Sequence, residues 1–392
     1  MSGDTNLMQS ASDEILTISS PQDAGLIPER WSRVLSLAQE LTRNLLPGLA
    51  FQVTVQGKTT GEIQFGQQSP GTNTSPLRPD SIFLSASITK PIVAMAAMRL
   101  VEQGEIALTE HVSEFLPQFS DSSKRGITIR HLLTHTSGLP DMLPNNRALR
   151  MTQSPLASFV DGTCQVTLDF PPGRGVQYQS MGFVLLAAII EKVTGTTLPA
   201  FLNKEFFGPL HMRDTALGAP DEWFQPGGKA ERLATVNVPE EQQCGTDWNW
   251  NSRYWLQLGA PWGGLLTTTS DLIRFGQMML ERGNAGPVRI FSDATIAAAT
   301  TNQLLVYPDV PEADRRCRGW GYGWRMNWPA HSASFGDLLG PRAYGHWGAT
   351  GTMFWIDPER NASAAILSTQ PLDKQSGPAL IKLSNAITAA IR

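Results

Sequence analysis

Cysteine is scarce in this chain: Cys164, Cys244 and Cys317 are the only three among 392 residues, odd in number and far apart. That usage excludes a disulfide framework and a cysteine zinc site, and it makes a reducing cytoplasm the expected location. Histidine is nearly as rare. Of six, only His131 and His135 stand four apart, and they lack the glutamate of a His-Glu-x-x-His site, so neither a metal nor another cofactor is expected. Charged residues make up 17% of the chain, the net charge is -4, and no block of Lys or Arg occurs. Nucleic acid and anionic membrane surfaces therefore find no electrostatic footprint, and a small neutral or mildly polar molecule is the expected partner. Apolar runs such as Phe183 to Ile190 fall far short of the ~20 residues that span a bilayer, so no membrane partner is expected either. The N-terminus carries Asp4, Asp13 and Glu14 and lacks the basic start and apolar centre of a secretion signal, so residues 1–21 read as a flexible leader. Walker loops and Gly-x-Gly-x-x-Gly fingerprints are missing, and no Gly-x-Ser-x-Gly elbow exists, because Tyr178 stands where Ser180-Met181-Gly182 would need its first glycine.

What is present suits one large globular unit or two joined lobes, with 41% hydrophobic residues, 35 Gly and 27 Pro. Pro28 to Asn44 has helical periodicity through Trp31, Val34, Leu35, Ala38 and Leu41. Ala50 to Gln56 and Thr60 to Phe65 read as a hairpin around Gly57-Lys58, and Ser81 to Leu84 as a short extended lead-in. Helical signals dominate from there to about Met279. A second hairpin, Thr352 to Ile356 and Ala362 to Ser368 around Asp357-Pro358, precedes a closing helix over Pro378 to Ile391. Neither terminal hairpin could bury its apolar face alone, so the two are expected to share one antiparallel sheet. The reading is an α/β (α+β) lobe made of residues 22–84 and 285–392, with residues 85–284 inserted as a mainly helical lobe. The cleft between lobes is the natural place for a ligand.

Three motifs carry chemistry. Ser87-Ile88-Thr89-Lys90 puts a hydroxyl and an amine one turn apart at the start of an apolar helix, so Lys90 reaches Ser87 and, if desolvated, takes its proton. Pro91 is tolerated only in a first turn, which places Ser87 at the helix start, where free N–H groups favour negative charge. One Ser-x-x-Lys among eight lysines is weak evidence by itself, but the following Ile92 to Met98 run buries the helix, and a buried lysine without a task is costly. Tyr178-Gln179-Ser180 lies between the turn Pro171 to Gly175 and the apolar helix Gly182 to Val193. A phenol beside a lysine could shuttle a proton, with neighbouring positive charge favouring phenolate over the usual pKa near ~10. Gly345 to Thr352 is the third element, with three glycines in seven residues before a strand. The N–H of Ala349, with that of Ser87, would make a two-donor oxyanion hole. Trp248, Trp250, Tyr254, Trp255 and Trp262 crowd one short stretch and read as a wall of the substrate pocket, while His135 and Ser137 read as buried structural residues.

Ser87-x-x-Lys90, Tyr178-x-Ser180 and His346-x-Gly348, in that order, resemble the motifs of class C β-lactamases and penicillin-binding-protein-like serine hydrolases, including the family VIII carboxylesterases. His131 to Pro140 and Gly263 to Leu272 are similar to stretches of the same family, and the resemblance runs from about Gln22 to the C-terminus. It implies a β-lactamase/transpeptidase-like fold and an acyl-enzyme on Ser87, with Lys90 and Tyr178 moving the proton and no cofactor. It further implies that Ser180 orients Lys90 or substrate, that His346 supports Tyr178 or meets the leaving group, and that Trp347, Gly348, Ala349 and Trp262 border the substrate. Where the β-lactamases have Lys-Thr-Gly, this chain has His346-Trp347-Gly348, and neutral histidine is a weaker anchor for a β-lactam carboxylate. The expected substrate is therefore a small ester. β-Lactamase or D-amino-acid peptidase action on an amide is the alternative, and an idle penicillin-binding or sensing protein the third reading.

Overall fold

A computed structural model describes residues 16–71, 74–239, 248–328 and 334–392. Cys244 lies outside them, and Cys164 and Cys317 are free thiols.

The helix Pro28–Asn44 begins with proline in its first turn, where the missing N–H is harmless, and buries Trp31, Val34 and Ala38 along one stripe. Strand Gly48–Val55 follows, and all eight of its residues are buried. It pairs antiparallel with Ala362–Ser368 over seven residues, from Val55 opposite Ala362 to Leu49 opposite Ser368. The two ends of the chain thus build one sheet. The order continues through Thr352–Asp357, Tyr344–Gly348 and the short edge Arg325–Met326, while Lys58–Thr59 and then Thr17–Ile18 lie beyond Gly48–Val55 on the other side. Residues 17 and 18, read as part of a flexible leader, are therefore strand residues, paired parallel to Lys58 and Thr59. The strand expected over Thr60 to Phe65 is broken: Gly61 takes a left-handed φ of 73°, and pairing resumes only at Ile63–Gly66.

Side-chain alternation splits the sheet's two faces. Met353 and Trp355 join Phe51, Val53, Leu383 and Ile387 under the terminal helices Pro28–Asn44 and Ser376–Ala390. Phe354 and Ile356 point the other way, into the core shared with Phe275, Trp324 and the helix Thr89–Gln103. The helix Thr269–Leu280, counted with the helical lobe from sequence, lies directly on this second face. Gly276 lets it come close, because a Cβ there would sit 2.8 Å from Ser363 Oγ and 3.1 Å from Phe354 Cζ. A small second sheet sets Phe83–Leu84, within the extended lead-in read from sequence, and Ala216–Leu217 on either side of Leu265–Thr267, and the last two strands escaped sequence patterning. Two- and three-residue strands carry too little alternation to be read. Among the described residues, no single helix is long and apolar enough to cross a membrane, and no cluster of three or more His, Cys, Asp or Glu could hold a metal ion.

Candidate active site

The small sheet presents the serine. Ser85 donates both its N–H and its hydroxyl to the Leu265 carbonyl, each at 2.9 Å, which fixes the chain two residues before Ser87. Ala86 then adopts a left-handed φ of 47°, unusual for a residue with a Cβ and a form of strain that collects at functional sites. The turn is closed by Thr89, whose hydroxyl donates to the Ala86 carbonyl at 2.6 Å and accepts the Leu265 N–H at 3.0 Å. The helix runs from Thr89 to Gln103. The Ser87 carbonyl, which Pro91 cannot serve, accepts the Lys90 N–H at 3.0 Å instead.

Lys90 is fully buried. Its Nζ lies 3.1 Å from Ser87 Oγ and donates to the Trp262 carbonyl at 2.9 Å. Burial lowers the amine's pKa to about 7, against an opposing pull from the Asp141 carboxylate, so a large share of the molecules hold Lys90 as a free base at neutral pH. Tyr178 lies beside both, with Nζ 4.6 Å from its ring centre and its hydroxyl hydrogen-bonded to Ser87. The phenolate expected from sequence is overruled here. Burial pushes the phenol's pKa above its ordinary value, and the bond to Ser87 and the charge of Arg325 only partly offset it. Desolvation acts on both groups, and it favours the neutral amine and the neutral phenol alike.

Gln179, between the two motif residues, is the anchor that sequence reasoning overlooked. Buried, it donates its backbone N–H to His135 Nδ1 at 3.1 Å and its side-chain amide to the Leu132 carbonyl at 3.1 Å, and its Oε1 accepts the Gly182 N–H at 2.6 Å. Tyr178 and Ser180 are thereby held on either side of a fixed point. Of the two roles expected for Ser180, orienting Lys90 or substrate, its hydroxyl does not take the first: it donates to Asp141 Oδ1 at 2.7 Å, while Ser180 borders the cavity. His135 is buried and bonded as expected, and Ser137 accepts the Leu139 N–H at 3.1 Å.

The third motif docks on the serine's lead-in through residues that sequence reasoning did not single out. Thr350 donates to the Leu84 carbonyl at 2.6 Å and Thr352 to the Ser85 carbonyl at 2.8 Å. His346 is buried with its ring 5.9 Å from that of Tyr178, and its Nδ1–H donates to the Trp347 carbonyl at 2.8 Å. It backs the phenol by packing, and it does not line the cavity where a leaving group would sit. Burial and the Lys90 charge hold its pKa well below the ordinary histidine value. Gly348 meets the lead-in so closely that a Cβ there would lie 2.2 Å from the Ser85 carbonyl oxygen and 2.5 Å from Thr352 Oγ1. Gly348→Ala is therefore expected to push the strand end away from Ser87. A displacement of about 1 Å costs on the order of 10²-fold in activity, and the accompanying overpacking about 1–3 kcal/mol of stability. Steady-state rates beside thermal melts check this, and unchanged rates would mean that the docking does not position the site.

Ser87, Tyr178, Ser180, Trp347, Ala349, Trp262, Trp250 and Trp255 all border one cavity of about 190 Å³. Of the aromatic stretch, Trp248 stands behind the wall, edge-on to Trp255 at 5.8 Å, and Tyr254 is tied to the Ser154 carbonyl at 2.8 Å. Asp141 and Arg150, absent from the sequence-based candidates, line the same space. The backbone N–H groups of Ser87 and Ala349 make no hydrogen bond among the described residues. A hydroxyl between an amine and a phenol, under a small aromatic-walled cavity, is an arrangement for acyl transfer to serine.

The β-lactamase family profile matches residues 36–386. Penicillin-binding protein 4 of Amycolatopsis lactamdurans is 31% identical over 341 residues, covering 83% of this chain and 82% of that protein. Esterase EstB of Burkholderia gladioli is 31% identical over 346 residues, covering 80% and 84%. Among solved structures, a penicillin-binding protein homologue from Caulobacter crescentus superposes with a TM-score of 0.76 at 22% identity, covering 93% of this chain and 99% of that one. The chain belongs to the β-lactamase family and has its fold, as its three motifs suggest. It is a serine hydrolase.

Proposed function

We propose that this protein is a carboxylesterase that cleaves small esters through an acyl-enzyme on Ser87. The observation that carries the reading is the neutral, buried His346, which stands outside the cavity at the position where a β-lactamase of the family keeps its lysine. A β-lactam carboxylate finds no cation from that strand, whereas an uncharged ester needs none. The similarity to Esterase EstB supports the same choice. Ser87 Oγ attacks the carbonyl and passes its proton to the free amine of Lys90. The N–H groups of Ser87 and Ala349 take the oxyanion, in the way that such donors lower barriers in acyl transfer. The neutral Tyr178 phenol gives a proton to the departing alkoxide and recovers one from Lys90; water then retraces the path to release the acid. Ser180 holds Asp141, Trp262 fixes Lys90 through its carbonyl, Trp347 borders the cavity, and Gly348, which does not line it, seats the strand end against the serine's lead-in. Cysteine usage supports a cytoplasmic location.

The similarity to penicillin-binding protein 4 supports a second reading, acylation by β-lactams. Short p-nitrophenyl esters, nitrocefin and a D-alanyl p-nitroanilide, assayed side by side, separate the two. Ester cleavage should lead by kcat/KM. Nitrocefin turnover at rates matching the best ester would overturn the assignment, and covalent penicillin labelling without turnover of any substrate would identify a sensor.

A further inference from the structure

We propose that His135 is the positioning residue for Tyr178, holding the peptide N–H groups on both sides of it so that the phenol can meet the departing alkoxide. The inference rests on the mechanism above, in which Tyr178 supplies that proton, and it gives a role to a histidine that sequence reasoning treats as structural.

Tyr178 belongs to no helix or strand, so no regular ladder fixes its backbone. A single residue holds its two neighbours instead. The Gln177 N–H donates to the His135 carbonyl at 3.0 Å, and the Gln179 N–H donates to His135 Nδ1 at 3.1 Å. The imidazole is fully buried and lies against the phenol itself, with ring centres 5.1 Å apart, while Trp320 at 4.2 Å and Phe183 at 5.6 Å close on it from elsewhere. Backbone, ring nitrogen and ring face thus bear on three consecutive residues. A ring nitrogen that accepts a peptide N–H carries no proton, so the neutral ring keeps its hydrogen on Nε2. Burial and the Lys90 charge hold it in that neutral form.

Two unfavourable features distinguish His135 from a side chain that only fills space. Its backbone takes a left-handed φ of 58°, a conformation that few residues with a Cβ adopt. Its Nε2, also buried, has no hydrogen-bond partner among the described residues, and a buried unpaired donor is destabilising. The bonds to residues 177 and 179 are what this conformation provides, and they flank the phenol. His346, the other buried histidine against Tyr178, gives its Nδ1–H to the Trp347 carbonyl and backs the phenol by packing.

The test compares an ethyl ester with the p-nitrophenyl ester of the same acid. Ethoxide needs a proton to leave, whereas p-nitrophenolate departs without one, so a misplaced phenol slows the first and spares the second. Rates are read as kcat/KM, which covers the steps up to departure of the alcohol and leaves out the shared deacylation. His135→Phe keeps a ring and removes the acceptor. It should lower kcat/KM for the ethyl ester by about tenfold or more, while the p-nitrophenyl ester stays within about threefold. His135→Asn places Oδ1 where Nδ1 stood and tolerates the left-handed backbone, so it should keep most of the wild-type ratio between the two esters. Nitrogen NMR of histidine-labelled wild type, with His135 assigned as the signal missing from His135→Asn, should show Nδ1 unprotonated and Nε2 protonated at neutral pH. Should His135→Phe fail to fold, the NMR result together with His135→Asn still decides. Equal losses on both esters in His135→Phe, or none, overturn the assignment, as does a ratio that collapses in His135→Asn or a proton found on Nδ1. Tyr178→Phe separates this from the mechanism: if it slows both esters equally, the proton-donor reading falls and the role of His135 with it. If Tyr178→Phe spares the p-nitrophenyl ester while His135→Phe slows both alike, only the role of His135 falls.

Discussion

Ser87→Ala is expected to lower kcat for a short p-nitrophenyl ester by on the order of 10⁴ to 10⁶, and Lys90→Met by nearly as much, with the double variant no worse than the more severe single one. The non-additivity follows from the geometry: an oxygen and an amine 3.1 Å apart work as one unit, so removing either idles the other. Stability should move in the opposite direction for the lysine. Lys90 is fully buried, and among the described residues its amine is hydrogen-bonded to Ser87 and the Trp262 carbonyl. Methionine fills nearly the same volume without a charge to desolvate, at the expense of leaving one carbonyl unserved. The melting temperature of Lys90→Met should therefore match or exceed that of the wild type while activity collapses, the signature of a residue kept for chemistry rather than for folding. A Lys90→Met enzyme that turns over at wild-type rate would sink the mechanism, because among the described residues Lys90 is the amine that reaches Ser87 to take its proton.

How legible this was depended on the range of the interaction. The helix Pro28–Asn44 and the strand Ala362–Ser368 coincide with their sequence-based boundaries, because each is set by a local period and by punctuation at its ends. The three catalytic motifs were legible as types of residue at a spacing. Their assembly was not, since it depends on contacts 266 and 176 residues apart, Thr350 to Leu84 and Leu265 to Thr89. The ties are threonine hydroxyls, and nothing local distinguishes such a threonine from any other. Protonation states were legible least of all. From the sequence, a lysine near a tyrosine suggests a phenolate; in the fold, burial of both groups keeps the phenol neutral and lowers the amine's pKa to about 7. Asp141 and Arg150 escaped notice for a related reason. Isolated charged residues in loop-rich segments ordinarily face water, and only the folded chain turns these two toward the cavity.

The pH profile gives the second large effect, and its sign follows from Lys90. The amine must be neutral to accept the Ser87 proton, and burial sets its pKa at about 7. Below that value the ammonium predominates, so kcat/KM should fall about tenfold per unit of pH, to roughly one hundredth of the plateau by pH 5; above it the rate should level off. The groups around the amine and phenol leave this limb to Lys90. His135 and His346 are held neutral well below the ordinary histidine range by burial and by the Lys90 charge. Tyr178 titrates far above it, and Arg325, lowered by burial to about 10, stays charged throughout. Asp141, which faces the amine, opposes its deprotonation, so Asp141→Asn should shift the limb to lower pH by removing a charge that favours the ammonium. Tyr178→Phe should slow the reaction yet keep the limb, because the phenol relays the proton without setting its acceptor's pKa. A rate independent of pH between 5 and 8, or a limb that Asp141→Asn moves upward, would remove Lys90 from the role of base.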